Sequence, residues 1–171
     1  MSQTQTMNLK RLIADYKIDP AALVEFGWRI SILPDSEVDG SLVNAFLLTE
    51  GQSFHTLAFE YTAFDLAESK STQTDDPFHA ILYGVRYSYV LVVTTAFTRA
   101  AFLDVSEERL CLCGPRVSLE IFDVPKDMKQ HQHLFFRAIS FPWIEKERIL
   151  EMVDRDEKFL GRYKHCFVSP S

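Results

Sequence analysis

Tyr83–Thr95, YGVRYSYVLVVTT, is the longest run in the chain that is dominated by β-branched and aromatic residues. Such residues fit a pleated surface that is packed on both sides. Tyr87, Tyr89, Leu91 and Val93 make one face apolar throughout, and the other face becomes apolar towards the end. Three valines and two threonines among its last nine residues disfavour a helix. The segment therefore predicts the central strand of an antiparallel sheet.

The composition limits the kind of protein that this chain can be. It has 171 residues, 47% of them hydrophobic and 25% charged, which is typical of one globular domain with a core. The net charge of −6, with acidic residues interspersed among basic ones, argues against nucleic-acid binding. No apolar run approaches the roughly 20 residues of a membrane helix. With three cysteines and no recognisable signal peptide, we expect a cytoplasmic protein without a membrane partner.

Helix-start and helix-stop residues predict two short helices near the N-terminus. Asn8 can cap a helix over Leu9–Lys17. Asp19 followed by Pro20 is a second start signal, and Gly27 is its stop.

Alternating apolar residues predict further strands. These are Trp28–Leu33, Ser41–Thr49, Phe54–Phe64, Arg109–Cys113, Arg116–Val124 and Leu134–Phe141. Four of them are predicted to form two hairpins, one across residues 50–53 and one across Gly114-Pro115. Glu68–Pro77 is polar and predicts a surface loop, whereas Ala96–Val105 fits either a helix or a strand.

A long C-terminal helix is predicted from Pro142 to about Leu160, with Gly161 as its stop. The complete prediction is an α+β fold with two short N-terminal helices, an antiparallel sheet of about five to seven strands built from hairpins, and the long C-terminal helix packed on one sheet face. Residues 8–166 would form the single domain, between a disordered N-terminus (1–7) and a C-terminal tail (167–171).

Aromatic residues around the central strand are the candidates for a ligand site. The set consists of Phe59, Tyr61, Tyr83, Tyr87 and Tyr89, joined by the cation of Arg86. They could line a small-molecule cavity or a recognition face, but packing in a core would also account for them. Glu60 and Asp65 could complete an acid–base set with Arg86 inside a cupped sheet.

A metal site is a further candidate, formed by Cys111 and Cys113 with His131 and His133. Residues i and i+2 of a strand point the same way, so two such strands could offer a tetrahedral zinc set. The spacing is not a common zinc signature, and in a helix the two histidines would point nearly opposite ways. Strand cysteines also occur simply as small hydrophobic residues.

Motifs for nucleotide-dependent and common hydrolase chemistry are absent from the sequence. The six glycines are too scattered for a phosphate loop, and there is no G-x-S-x-G and no H-E-x-x-H. We therefore predict a non-catalytic binding or assembly protein that acts through a sheet face or edge as a homo-oligomer, without a cofactor. The alternatives are a small-molecule-binding cup closed by the C-terminal helix, which could be an enzyme, and the zinc site.

Overall fold

The computed structural model describes residues 9–61, 68–83, 88–139 and 141–170, and its centre is a six-stranded antiparallel sheet. A separate ladder pairs β1 (Ile13–Ala14) with β2 (Lys17–Ile18). The sheet consists of β3 (Trp28–Pro34), β4 (Ser53–Phe59), β5 (Glu68–Gln73), β6 (Tyr89–Thr94), β7 (Ala100–Asp104) and β8 (Arg109–Pro115). Its spatial order is β3-β8-β7-β6-β4-β5.

The helices lie between and after these strands. They are α1 (Pro20–Glu25), α2 (Gly40–Leu48), α3 (Pro77–Tyr83), α4 (Arg116–Glu120), α5 (Met128–Ile139) and α6 (Lys146–Gly161), with a 3₁₀ turn at Asp35–Glu37. The predicted α+β fold with an antiparallel sheet and a long C-terminal helix is confirmed.

The predicted central strand is confirmed over Tyr89–Thr94. β6 lies between β7 and β4, and all six of its residues are buried. Tyr89, Leu91 and Val93 enter one core, whereas Val90 and Val92 enter the other. The beginning of the predicted strand is wrong, because Tyr83 ends α3. Residues 84–87 lie outside the described part of the chain.

Both faces of the sheet are covered. The first face packs against buried residues of the segment 9–23, the C-terminal half of α6 and the segment 163–167. The second face packs against α2, with additional contacts from Ile81 of α3, Leu119 of α4, Val124 and Val168. Because a hydrophobic core covers each of its two faces, the sheet lies in the interior of the protein.

Three segments that are predicted as strands are largely helical, so neither predicted hairpin forms: Ser41–Thr49, Arg116–Val124 and Leu134–Phe141. In α2, Val43, Phe46 and Leu47 are the buried residues, which is the spacing of one helix face. Asp39 caps this helix by accepting a hydrogen bond from the backbone N–H of Ser41.

Leu134–Phe141, which was predicted as the last strand, belongs largely to α5. This helix buries His131, Phe135 and Ile139, which are spaced four residues apart. Side chains four residues apart lie on one face of a helix. In a strand, the residues at every second position would also have to be buried, which is the case for neither His133 nor Arg137.

The predicted hairpin across Gly114-Pro115 is also wrong. β8 continues to Pro115, which is opposite Trp28 of β3, and Arg116 then begins α4. The partner of β8 on its other side is β7, so the ambiguous segment Ala96–Val105 contains a strand.

Three other local predictions are corrected by the structure. Glu68–Pro77, predicted as a loop, provides β5 and the start of α3. Leu9–Lys17 is not one helix, because β1 and β2 turn back on each other at Asp15 and Tyr16, both with positive φ. The C-terminal helix begins at Lys146, four residues after Pro142.

The outer edge of β3 is closed by residues from the C-terminal part of the chain. The N–H of Ile30 donates to the carbonyl of Cys166 (2.9 Å), and Ile30 forms an isolated parallel bridge with Phe167. The N–H of Ile32 donates to Nε2 of His131 (3.1 Å). Phe167 and Val168 are fully buried, so the predicted tail at 167–171 begins too early.

Candidate functional site

Two residues of the predicted aromatic ligand site, Phe59 and Tyr89, lie in the core. The buried rings of Phe59 and Tyr89 stack with 5.1 Å between their centroids, and Tyr89 also stacks on Phe102. Tyr61 is exposed and stacks on Tyr16 at 4.5 Å. These contacts account for Phe59 and Tyr89 as packed core residues.

The remaining members of that set cannot be located in the structure. Arg86, Tyr87 and Asp65 lie outside the described residues, as does the side chain of Tyr83. A convergence of Glu60 with Asp65 and Arg86 therefore stays a prediction.

The four candidate zinc ligands are not brought together. Cys111 and Cys113 share one face of β8 and are buried in the core, where burial raises the pKa of Cys111 to about 12 and that of Cys113 well above its usual value. His131 and His133 lie on α5, one buried and the other exposed. Among the described residues, no group of three or more His, Cys, Asp or Glu is arranged to hold a metal ion.

His131 has a structural role instead. Its Nδ1 is 2.7 Å from the carbonyl oxygen of Asp127, so Nδ1 carries the proton and Nε2 is free to accept from Ile32. The ring stacks on Phe167 at 4.1 Å. Burial lowers the pKa of His131 to about 4, so the imidazole is neutral at pH 7.

The feature that sequence reasoning missed is an exposed apolar surface on α5, α6 and the turn between them. Its four large side chains, which we call the hairpin surface, are Phe136, Phe141, Trp143 and Leu150. Trp143 is 77% exposed and Leu150 is 59% exposed. Trp143 stacks on Phe141 with 5.0 Å between ring centroids, so the two rings form one flat apolar unit.

A groove runs between α5 and α6 next to this surface, and we call it the hairpin groove. Its volume is about 340 Å³. Phe135, Ile139 and Leu160 form a buried apolar floor. The α5 wall carries Lys129, Gln132 and His133, whereas the α6 wall carries Val153 and Glu157.

A buried ion pair supports the groove from beneath. Arg109 of β8 donates to Asp156 of α6 at 2.6 Å, and both side chains are at most 6% exposed. The Arg109 guanidinium lies 3.8 Å from the ring centroid of Phe159 and 5.7 Å from that of Phe135. Because Phe135 belongs to α5, this cation links both helices to the start of β8, an interior strand of the sheet.

A surface ion pair fixes α5 from the other side. Arg137 donates two hydrogen bonds to the carboxylate of Glu37, at 3.1 and 2.6 Å. Glu37 lies in the 3₁₀ turn that follows β3. The two ion pairs, Arg109–Asp156 and Arg137–Glu37, therefore hold α5 and α6 in position on the rest of the fold.

The sequence did contain a signal for this surface. Phe141-Pro-Trp143 stands in a short connection between two helices, where exposed polar residues are usual. Trp143 is exposed and therefore does not fill the core.

The chain matches no known family model, no curated protein and no solved structure, so its own residues have to carry the functional inference. Within the described ranges, no helix is both long and apolar enough to cross a membrane.

Proposed function

We propose that this protein is a non-catalytic assembly protein that binds a second copy of itself through the hairpin surface. The observation that carries the proposal is the exposed stack of Trp143 on Phe141, together with the exposed side chain of Leu150 on α6. Tryptophan and phenylalanine are enriched in protein–protein contacts and often dominate their binding energy.

The energetic benefit of covering this surface is substantial. An aromatic side chain buries roughly 150–250 Å², and Trp143 still exposes 77% of its surface. Covering that remainder removes roughly 120–190 Å² from water, which contributes about 3–5 kcal/mol per copy before the cost of association.

Other surfaces of the sheet fit this role less well. Both sheet faces are covered, and the edge at β3 is closed by residues 166–167 and by His131. β5 has the sequence ESKSTQ, which lacks large apolar side chains and places the exposed Lys70 at the other edge. Charged, polar edge strands disfavour pairing between molecules. The exposed faces of α5 and α6 therefore fit a contact between copies better than the sheet does.

The non-catalytic part of the proposal is supported by the partners of the buried ionisable residues. His131 is held by Asp127 and Ile32, and Arg109 is held by Asp156. Cys111, Cys113 and Cys166 are free thiols, which fits the reducing cytoplasm that we propose as its location.

Sedimentation velocity over about 1–200 µM tests the assembly proposal. We expect the wild-type chain to form dimers reversibly, and the double variant Trp143→Ser/Leu150→Ser to remain a monomer. The matched control is Val117→Ser/Ile121→Ser, which removes two side chains exposed by 69% and 71% elsewhere on the surface.

Circular dichroism of each variant verifies that its fold is intact. A wild-type chain that stays monomeric over the whole range would overturn the proposal. The proposal would also be overturned if the control substitutions abolished dimerisation while the Trp143/Leu150 double variant still formed dimers.

A further inference from the structure

We infer that the two copies dock about a two-fold axis parallel to the hairpin groove, so that α5 of each copy lies over α6 of the other. This inference rests on the proposed self-association, and it adds the orientation and the residues that select it.

The helical hairpin has two chemically different ends. α5 and α6 are joined by a short turn and run in opposite directions, so Lys129 and His133 share one end of the groove with Glu157. The turn with Trp143 forms the opposite end, next to Leu150 near the start of α6. One end therefore carries Lys129, His133 and Glu157, and the other carries the exposed rings of Phe141 and Trp143 beside exposed charged residues of α6, among them Lys146 and Glu147.

Only one orientation of the two-fold axis suits both ends. An axis that lies across the groove would place the turn of one copy over the charged end of the other, burying Trp143 against Lys129 and Glu157. Desolvating such charges without partners is costly. An axis along the groove places the Phe141–Trp143 rings of the two copies next to each other, and the two-fold symmetry makes this contact the same for both copies.

The same axis brings opposite charges together at the other end. It places the α5 wall, with Lys129 and His133, over the α6 wall of the partner, with Glu157. Lys129 and Glu157 are exposed, and neither forms an ion pair within the described part of the chain. Complementary charges of this kind select orientation and partner more than they add affinity. Each α5 would also lie antiparallel to the partner's α6, as in helical bundles.

The size of the contact sets the expected affinity. Helices of 12 and 16 residues are about 18 and 24 Å long at 1.5 Å per residue. Two such helices, each about 10 Å wide, give a footprint of roughly 420 Å² per copy, which is below the roughly 600–1,000 Å² per partner of stable interfaces and is typical of weak, transient contacts. We therefore expect a dissociation constant in the micromolar range and a dimer that depends on concentration.

Charge reversal tests the pairing of the walls. In Lys129→Glu the α5 and α6 walls of a dimer are both acidic, and in Glu157→Lys both are basic. We expect each variant alone to dimerise at least about tenfold more weakly than wild type. An equimolar mixture of the two should dimerise with nearly wild-type affinity, because each variant then offers the charge that the other lacks.

The mixture separates contacts between copies from contacts within one chain. Mixing cannot repair a defect that lies inside a single chain, so recovery on mixing supports the proposed pairing. If wild type dimerises but the mixture does not recover, the orientation is wrong and the proposed assembly stands. If wild type does not dimerise at all, both fall.

Cross-linking tests the direction of the axis independently. Pro142 lies in the exposed turn beside Trp143. With the axis along the groove, two turns lie side by side, so Pro142→Cys should give a covalent dimer with a short bismaleimide. The native cysteines are buried, and Val117→Cys on α4 is the control that should not cross-link. Efficient dimer formation by the control, or none by Pro142→Cys in a chain that dimerises, would overturn the orientation.

Discussion

Lowering the pH from 7 towards 4 should destabilise this protein through His131 in particular. In the folded chain Nδ1–H donates to the Asp127 carbonyl, and Nε2 accepts the N–H of Ile32 from the outer edge of β3. A second proton would have to be placed on Nε2, where it would face another donor. Folding therefore requires the neutral ring, and this requirement connects the stability of the β3 edge to pH.

The size of the effect follows from the two pKa values of His131. Its pKa is about 4 in the folded chain, against 6.5 for an ordinary histidine. Between these values the unfolded state binds more protons, so the free energy of unfolding decreases as the pH falls. The full contribution of the neutral ring is present above about pH 6.5. The loss is about 2 kcal/mol at pH 5 and about 3 kcal/mol near pH 4, at 1.36 kcal/mol per pH unit.

Urea unfolding of the wild type and of His131→Gln at pH 7, 6 and 5 measures this effect. The variant should be less stable at pH 7, by about 1–3 kcal/mol, because the Ile32 N–H loses its partner or is bound less well. Between pH 6.5 and 5 its stability should fall by about 2 kcal/mol less than that of the wild type. Burial also lowers the pKa of His55, but that contribution is common to both proteins and cancels in the difference.

Equal pH dependence in the two proteins would refute this reasoning. If the variant does not fold, an NMR titration of the wild-type histidines is the alternative measurement. His131 should then stay neutral down to about pH 5. A pKa of His131 near the 6.5 of an ordinary histidine would contradict the prediction.

Substitutions of two buried carboxylates, Asp156 and Asp104, should have opposite effects on stability. Asp156→Ala leaves the buried Arg109 with only Glu107 at 3.6 Å, so urea unfolding should show a loss of about 3–5 kcal/mol; a loss below about 1 kcal/mol would contradict this. Asp104→Asn should be neutral or stabilising at pH 7, because burial raises the Asp104 pKa and an amide oxygen can still accept from Ser106 and from the Glu107 N–H. The measured difference should disappear as the pH falls and Asp104 takes up its proton; a loss above about 1 kcal/mol at pH 7 would count against it.

The parts of the fold that could be predicted are those whose local signals agree with their surroundings. Tyr89–Thr94 is rich in β-branched residues and is buried on both faces, so its pattern required no knowledge of the neighbouring strands. Asp19 and Pro20 start α1 as expected, because a cap needs only its own helix. α6 ends at Gly161, one residue beyond the predicted end, but its C-cap is Arg162 in the right-handed helical region, so Gly161 is not a left-handed cap.

The wrong predictions concern segments whose partners are distant in sequence. β5, with the sequence ESKSTQ, has no apolar alternation and is a strand because β4 offers it a ladder. In α5, three consecutive apolar residues at 134–136 suggested a strand, although the spacing of His131, Phe135 and Ile139 already had the period of a helix. Tertiary packing decided between the two patterns.

The candidate site could be predicted only in part, for a related reason. Trp143 and Leu150 are ordinary apolar residues in the sequence, and only accessibility separates them from core residues such as Leu160. Accessibility depends on how α5 and α6 settle on the sheet, which the buried Arg109–Asp156 pair fixes across 47 positions of the chain. The cysteine motif stood out in the sequence, but Cys111 and Cys113 are buried core residues in the structure.

The closure of β3 by residues 165–167 has a consequence for the order of events during synthesis. Arg29 of β3 donates to the carbonyl of His165, which is 136 positions later in the chain. At about 5–20 residues per second, the ribosome makes the later residue roughly 7–27 s after the earlier one. During that interval the outer groups of β3 have no native partner, and the nascent chain carries an open strand that a chaperone or a neighbouring nascent chain can bind. Its yield in cells should therefore depend on translation speed as well as on final stability.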